Sequence, residues 1–478
     1  MESDERILIN NVNDPRSYGN KLRKYKLEPA LLFLFFGYDL SLMIVPNQLL
    51  KQTCLSYGYN ISDCSKLNEG GDETTKKIEE SIQPLVAKII MTSTLLNSII
   101  PAIVSLFLGP WSDKYGRKKV ISAACIGFSL TLFLFSVLSM MCNQAVIIDP
   151  WIFVVPTIPM ILTGGRPSLI VSVLCYVTDL TDESERSSRL VLIELIIFIG
   201  MFFGIASCSY LLAITSATTV FIISTTCVTL STIYIIVFVD ESVEVMENDT
   251  CGQIKELMSP TPIRTMINTC CRKRPFNETK ILFCLVFILM LSIFVLNGSR
   301  NVFYLFVREK FNWKLKDAAQ LEAFTHLITI IGGFLGICVL KKLLKFSDLS
   351  LAFIAIISTI IDSLLRAFAQ NSSLLYIAST ICLFEILLAP MCRSLISNII
   401  PASEIGEVYS LISSFEAVSN LFASPLYTFI YAKTFTSMTG SYNFITTFMY
   451  IICLILALWV MRMRKEKQNF IKSYSVIQ

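Results

Sequence analysis

Seven charged side chains stand by themselves inside long apolar runs of this chain, and their types suggest its chemistry. Four are acids, Asp39, Glu194, Glu385 and Glu416, and three are arginines, Arg166, Arg300 and Arg393. A charge at mid-bilayer costs on the order of 3 kcal/mol on insertion scales, so such residues face protein or a wet path rather than lipid. Carboxylates held there can take up and release a proton. Arginines can grip a carboxylate or phosphate through paired hydrogen bonds. The pattern points to proton-coupled handling of an organic anion, with Glu194, Asp39, Glu385 and Glu416 as coupling acids and Arg393, Arg166 and Arg300 as anion-binding cations. Asn297 joins the cations, because Asn297-Gly298-Ser299-Arg300-Asn301 reads as a broken helix lining a cavity. Plainer alternatives stand beside these roles: an interhelical hydrogen bond for Asp39, an internal salt bridge for Arg166, and snorkelling for Glu194, one turn from its helix end.

The elements that position these residues are membrane helices. The chain has 478 residues, 54% hydrophobic and 16% charged, with a net charge of +4. A soluble protein carries roughly 25% charged residues, so the deficit indicates a polytopic membrane protein. The small net charge gives no reason to expect nucleic acid. Most of the 15 cysteines fall in apolar runs, where they serve as small hydrophobes. The hydropathy pattern predicts twelve spans, at about 28–50, 85–108, 119–141, 151–177, 190–212, 217–239, 281–306, 321–340, 349–369, 374–400, 406–431 and 442–463. This fold class is an all-α membrane protein of two six-helix bundles, residues 28–239 and 281–463. A linker of 240–280 joins them, and polar tails of 1–27 and 464–478 flank them. Asp362 and Arg366 read as a self-satisfied i,i+4 pair. His326, the only histidine, shares a face with Glu322 and reads as a solvated residue near the outer end of its helix.

Charge tests the topology. With both termini cytoplasmic, the inside segments hold about 26 of the 40 Lys and Arg, as the positive-inside rule requires. The four tryptophans, Trp111, Trp151, Trp313 and Trp459, then fall at the interfaces. The polar segment 51–84 lies outside, where Cys54 and Cys64 could form a disulfide and the sequon at Asn60 could carry a glycan. Cys270-Cys271 in the linker is a candidate palmitoylation pair. Asp4-Glu5-Arg6-Ile7-Leu8-Ile9 and Tyr474-Ser475-Val476-Ile477 have the forms of endolysosomal sorting signals. The chain is therefore expected in the plasma or endolysosomal membrane.

Between spans 2 and 3, five charges crowd into Gly109-Pro110-Trp111-Ser112-Asp113-Lys114-Tyr115-Gly116-Arg117-Lys118-Lys119. This loop resembles the signature of the major facilitator superfamily. The resemblance implies two pseudo-symmetric bundles around a central cavity lined by spans 1, 2, 4, 5, 7, 8, 10 and 11. The motif is expected to act as a cytoplasmic gate. Gly109 and Gly116 would allow tight turns and close approach. Asp113 would face a helix N-terminus of the other half, supported by Ser112. Arg117, Lys118 and Lys119 would anchor to acidic lipid and pair with nearby carboxylates.

Glu28-Pro29-Ala30, Asn47-Gln48-Leu49, Trp111-Ser112-Asp113 and Val177-Thr178-Asp179 resemble, more closely, the proton-coupled folate transporter family, solute carrier family 46. That likeness implies a proton-coupling role for Glu194 and a proton- and substrate-binding role for Arg393, after Ala389-Pro390-Met391-Cys392. The chain departs from the folate-transporting branch at Leu296, where that branch has histidine, and at Gly165, where it has aspartate. The branch's cross-loop cysteine is replaced near Asn312, which leaves Cys54 and Cys64 to pair with each other. Folate is therefore not assigned as the substrate.

The expected function is secondary active transport of a small organic anion by alternating access, with the proton as coupling ion and no other cofactor. A non-transporting receptor or scaffold on the same fold is the alternative. An enzyme is not expected, since one histidine and no Ser/His/Asp or Cys/His constellation leave no metal or nucleophile site. A channel would show rings of filter residues, and none are present.

Overall fold

The computed structural model describes residues 25–42, 44–65, 67, 73–143, 146–243, 268–269, 272–311, 313, 315–401, 404–434 and 438–475. Leu8-Ile9, Cys270-Cys271 and Asn312 lie outside these residues, as do Val476 and Ile477 of the second sorting form. In hydrocarbon each backbone amide must be satisfied within its own segment, so apolar runs of this length become helices. Eleven of the described segments are long and apolar enough to cross a membrane. A twelfth helix, Ile405–Thr434, has the length but not the composition, because it carries Glu416 and a series of serines on its packed faces.

The two halves repeat one contact plan. In the first, span 5 packs on span 1, span 6 on spans 1 and 3, and span 4 on spans 2 and 3. In the second, span 11 packs on span 7, span 12 on spans 7 and 9, and span 10 on spans 8 and 9. Hydroxyl pairs join spans 3 and 6: Ser129 with Thr232 at 3.0 Å, Ser136 with Thr225 at 2.9 Å and Ser139 with Thr218 at 2.8 Å. Ser363 with Thr447 at 2.8 Å does the same for spans 9 and 12. Such pairs hold helices together where lipid removes the hydrophobic drive for association. The halves touch through spans 2 with 11, 5 with 8, 5 with 10 and 4 with 11.

Three expectations change. The charged motif is not a loop: one helix runs Glu73–Tyr115 and the next starts at Arg117, so Gly116 alone separates them. Its φ of +114° is open to glycine and strained for other residues. Span 7 is unbroken, since Glu278–Phe311 is one α-helix through Asn297 and Arg300. Polar side chains do not by themselves interrupt a helix whose backbone bonds stay internal. The breaks fall instead in spans 4 and 10, which occupy equivalent places in the two halves. Span 4 is a 3₁₀ segment Pro150–Thr157, a turn of helix Ile158–Leu162, and a helix Gly165–Asp179. Gly164 and Gly165 at φ of +82° and +56° make the joint, a role beyond the close packing read from sequence. Span 10 has helices Ser372–Ile381 and Leu388–Ser397 around a 3₁₀ segment Cys382–Leu387 that holds Glu385. The last helix, Tyr442–Ser475, continues well past the apolar stretch into the basic tail.

Candidate functional site

Contacts between the halves concentrate toward the face that carries the charged motif. There Gly109 lies so close to span 11 that a methyl group would overlap the Ser410 hydroxyl and the Gly406 carbonyl. A methyl on Gly406 would in turn strike both Asp113 carboxylate oxygens, so Asp113 sits against the first turn of span 11. Ser105 and Ser414 bring their hydroxyls to 2.9 Å across the same seam. Arg117 is 1% exposed and pairs with Asp113 and, at 3.2 Å, with Asp179. It also donates from Nη1 to Ser112 Oγ at 2.7 Å. Ser112 Oγ donates to the Gly109 carbonyl at 2.7 Å. Glu241 accepts from the Arg117 and Lys118 backbone amides at 2.8 and 3.2 Å, and Ser242 donates to Asp179 at 3.2 Å. Arg117 is thus the buried hub of the motif and not a lipid anchor; Lys119 is exposed.

This geometry sets a stability expectation. Removing one partner from a buried ion pair costs about 3–5 kcal/mol, because the charge left behind has no water. Arg117→Ala strands Asp113 and Asp179 together and is expected to lower the thermal midpoint of the purified protein strongly. Arg117→Lys is expected to recover little of it, since an ammonium lacks the fork that serves Asp113, Asp179 and Ser112 at once. An alanine variant that melts with the parent would remove Arg117 as the hub.

Deeper in the molecule, Arg393 joins the halves. Its Nη1 lies 2.7 Å from Glu194 Oε1 of span 5, and its Nη2 lies 3.0 Å from Glu416 Oε1 of span 11. Tyr409 Oη donates to the Arg393 carbonyl at 2.8 Å and fixes that turn of span 10. Beside it, Lys341 pairs with Asp348 and bonds Ser187 across the halves. Ser394 donates to Asp348 at 2.9 Å. Arg186 of span 5 reaches Ser397 and Asn398 at 3.2 and 3.0 Å. The expectation that Arg117 and Lys118 pair with nearby carboxylates holds, with Asp179 and Glu241 as the partners, whereas the sequence reading missed the Lys341–Asp348 group, although a carboxylate beside that basic cluster was the available signal.

A second set lies around the span 4 and span 10 breaks. Asp39 is 1% exposed, and its Oδ2 has no hydrogen-bond partner. Arg166 and Arg300, from opposite halves, both act electrostatically on it. Both arginines are exposed. Arg166 lies 3.5 Å from Met201 Sδ, with its guanidinium 5.5 Å from the centre of the Phe35 ring. Arg300 also acts on His326 and Glu385. Glu385 accepts from Cys382 Sγ at 3.4 Å. His326 is not the solvated residue the sequence suggested. Its side chain is 14% exposed, 4.0 Å from Glu322, and its ring is 6.0 Å from Phe198 of span 5, at the contact between halves. Asp362 and Arg366 do pair, at 2.7 Å, and Arg366 also donates to Ser379 at 2.8 Å. They belong to the interior of the second bundle.

On the opposite face, Cys54 and Cys64 are disulfide-bonded, with Cα atoms 5.7 Å apart. Asn60 is exposed, and its carbonyl starts the short helix Ile61–Ser65 by accepting from Asp63 and Cys64.

Residues 29–424 match the family model described as Major Facilitator Superfamily. The chain is 30% identical over 451 residues to a probable peptidoglycan muropeptide transporter, SLC46, of Drosophila melanogaster, covering 93% of this chain and 87% of that one. It is 24% identical over 432 residues to the lysosomal proton-coupled steroid conjugate and bile acid symporter SLC46A3 of Gallus gallus, covering 88% and 90%. Among solved structures, the human organic anion transporter MFSD10 superposes with a TM-score of 0.66 at 13% identity, over 91% of this chain and 99% of that one. The transporter FucP in its outward conformation superposes with a TM-score of 0.61 at 14% identity, over 91% and 98%. Both likenesses concern the fold.

Proposed function

Because this chain belongs to the major facilitator superfamily and, within it, to the SLC46 family of transporters, we propose that it carries an organic anion across its membrane together with a proton. The observation that supports this reading is Arg393 between Glu194 and Glu416, which places one positive charge against two carboxylates from different helices. A buried cluster with surplus negative charge is costly, and one proton balances it. Proton uptake then weakens the hold of Glu194 on Arg393, and the half carrying span 5 can part from the half carrying span 10. Opening at the motif face follows, with the Asp113–Gly406 and Ser105–Ser414 contacts broken in the same movement.

Arg166 and Arg300 are the anion-binding pair in this scheme. They approach from opposite halves, so an anion held by both couples binding to the closure of the cavity. Asp39 keeps the pair from repelling each other in the empty carrier. Phe198, half-buried where the two halves meet, offers apolar surface to the body of the substrate, consistent with an anion larger than a simple carboxylate. The names of the two relatives make muropeptides, steroid conjugates and bile acids the first compounds to try. The test is uptake into proteoliposomes from a competitive screen of organic anions, with an inward acid gradient and without it. Saturable, exchanging flux that rises with external acidity is expected. Binding without flux would favour the receptor reading, and flux indifferent to the gradient would end proton coupling.

The motif face is the cytoplasmic one in this reading, with both termini on that side, and the disulfide-bearing face is lumenal or extracellular. Asn60 then carries a glycan. Peptide N-glycosidase is expected to increase the gel mobility of the parent protein and to leave Asn60→Gln unchanged. Equal mobility of parent and variant before treatment would contradict that orientation or the use of the sequon. An endolysosomal residence rests on the Leu8-Ile9 and Tyr474 signals and on the lysosomal relative. Imaging the protein after their replacement tests it, and a location unchanged by both replacements would count against the signals.

A further inference from the structure

Glu322 of span 8 has no part in the scheme above, yet its carboxylate opens into the cleft between the halves. The packing of span 8 fixes the way it faces. Thr325 Oγ1 donates to Ser379 Oγ at 2.9 Å, and a methyl on Gly332 or Gly336 would strike Leu383 or Leu387, so that side of the helix lies on span 10. A methyl on Gly333 would strike the Leu195 side chain of span 5, and the His326 ring lies beside Phe198 of the same span. Glu322 stands one turn from His326 and three turns from Gly333, so it shares the face that looks across to the first half. Unlike His326 it is open: its side chain is 53% exposed against 14%. His326 Nε2 is 4.0 Å from it, beyond hydrogen-bond reach, and among the described residues no lysine or arginine pairs with it.

Arg166 stands at the same level on the opposite wall. Its Nη2 is 3.5 Å from Met201 Sδ, and Met201 lies one turn beyond Phe198 on span 5, as Glu322 lies one turn beyond His326 on span 8. Both steps lead toward the disulfide-bearing face, because span 5 runs toward that face and span 8 away from it. Arg300 acts electrostatically on His326, as Glu322 does. The Phe198–His326 contact is thus a floor, bordered by two exposed guanidiniums and one exposed carboxylate.

We propose that Glu322 receives a cationic group of the substrate, so that the compound bound is an anion that also carries an ammonium, of the class of acidic peptides with a free amino terminus. The proposal rests on the reading of Arg166 and Arg300 as the anion-binding pair. A carboxylate in an open cleft repels a purely anionic compound, and an ammonium between Glu322 and the Phe198 ring turns that repulsion into attraction. Carboxylates on arginines of opposite halves and an ammonium on Glu322 hold such a peptide in one orientation.

The test is isothermal titration of the full chain in phosphatidylcholine nanodiscs with alanyl-glutamate and with N-propionylglutamate, which has the same skeleton without the ammonium. Alanyl-glutamate is expected to bind about fivefold more tightly, the worth of an ion pair that water still reaches. Glu322→Gln is expected to bind the two alike, and Glu322→Lys to prefer N-propionylglutamate. Arg166→Ala is expected to weaken both and keep their ratio. Equal affinity in the parent, a preference that survives Glu322→Gln, or no binding of either compound overturns the proposal. The ratio in the parent decides the matter even if a variant fails to fold. Affinities indifferent to both Arg166→Ala and Arg300→Ala would instead remove the anion-binding pair, with the ratio still judging Glu322. Titration reads no flux, so a chain that binds without transporting gives the same ratio, and the carrier reading stands or falls separately.

Discussion

Arg393→Ala is expected to abolish transport, with the protein still folded and inserted. The substitution leaves Glu194 and Glu416 facing each other without the cation that lies 2.7 and 3.0 Å from them. Loss of one member of a buried charge cluster is worth about 3–5 kcal/mol, a shift on the order of a hundredfold or more in any equilibrium that the cluster controls. Arg393→Lys is expected to restore little, because one ammonium cannot serve two carboxylates through separate nitrogen atoms. Glu194→Gln should behave differently. It retains a hydrogen-bonding group but has no proton to gain, so uptake persists and its difference between acidic and neutral pH flattens. Flux of the Arg393→Ala variant at the parental rate would remove the cluster from the mechanism. Undiminished pH dependence in Glu194→Gln would move proton coupling to another acid, with Glu416 next to be tested.

Cross-linking Ser105→Cys to Ser414→Cys is expected to lock the carrier. The two hydroxyls are 2.9 Å apart and belong to spans 2 and 11, on different halves. Both residues are buried, and Ser414 Oγ also bonds the Ala102 carbonyl, so the two backbones are close. A disulfide needs Cα atoms within about 7 Å, a separation that serine hydroxyls in contact readily satisfy. Oxidant should stop uptake in the double variant alone, and reductant should restore it. Each single variant serves as the control for the chain's native cysteines. Cross-linked protein with full flux would mean that this seam does not open during transport.

The solitary charges were visible because polar residues stand out against apolar runs and lipid forbids their exposure. The same contrast made the span pattern legible, and the symmetric contact plan agrees with it. The signature motif was visible as a string of residue types, yet its conformation was misread. Five charges within seven residues suggest a loop, whereas the chain is helical on both sides of Gly116, and Arg117 is neutralised there in buried pairs with Asp113 and Asp179. Span 7 was misread for the converse reason. Asn297, Gly298 and Ser299 are polar or small, but a helix tolerates them when a neighbouring helix packs there, as Tyr427 does against Gly298. His326 could not be placed from spacing, since only the approach of span 5 brings Phe198 to it.

The sequence by itself determined that this chain is an all-α polytopic membrane protein, which acids and arginines interrupt its apolar runs, and the superfamily to which it belongs. Those properties follow from the cost of charge in lipid and from a local motif. Only the tertiary structure decided which charges meet. Glu194, Arg393 and Glu416 are separated by 199 and 23 residues along the chain. Hydropathy gives each helix a depth but not a rotation, and rotation about the helix axis is set by packing against neighbours. That packing brought one arginine between two carboxylates and placed the helix breaks in spans 4 and 10.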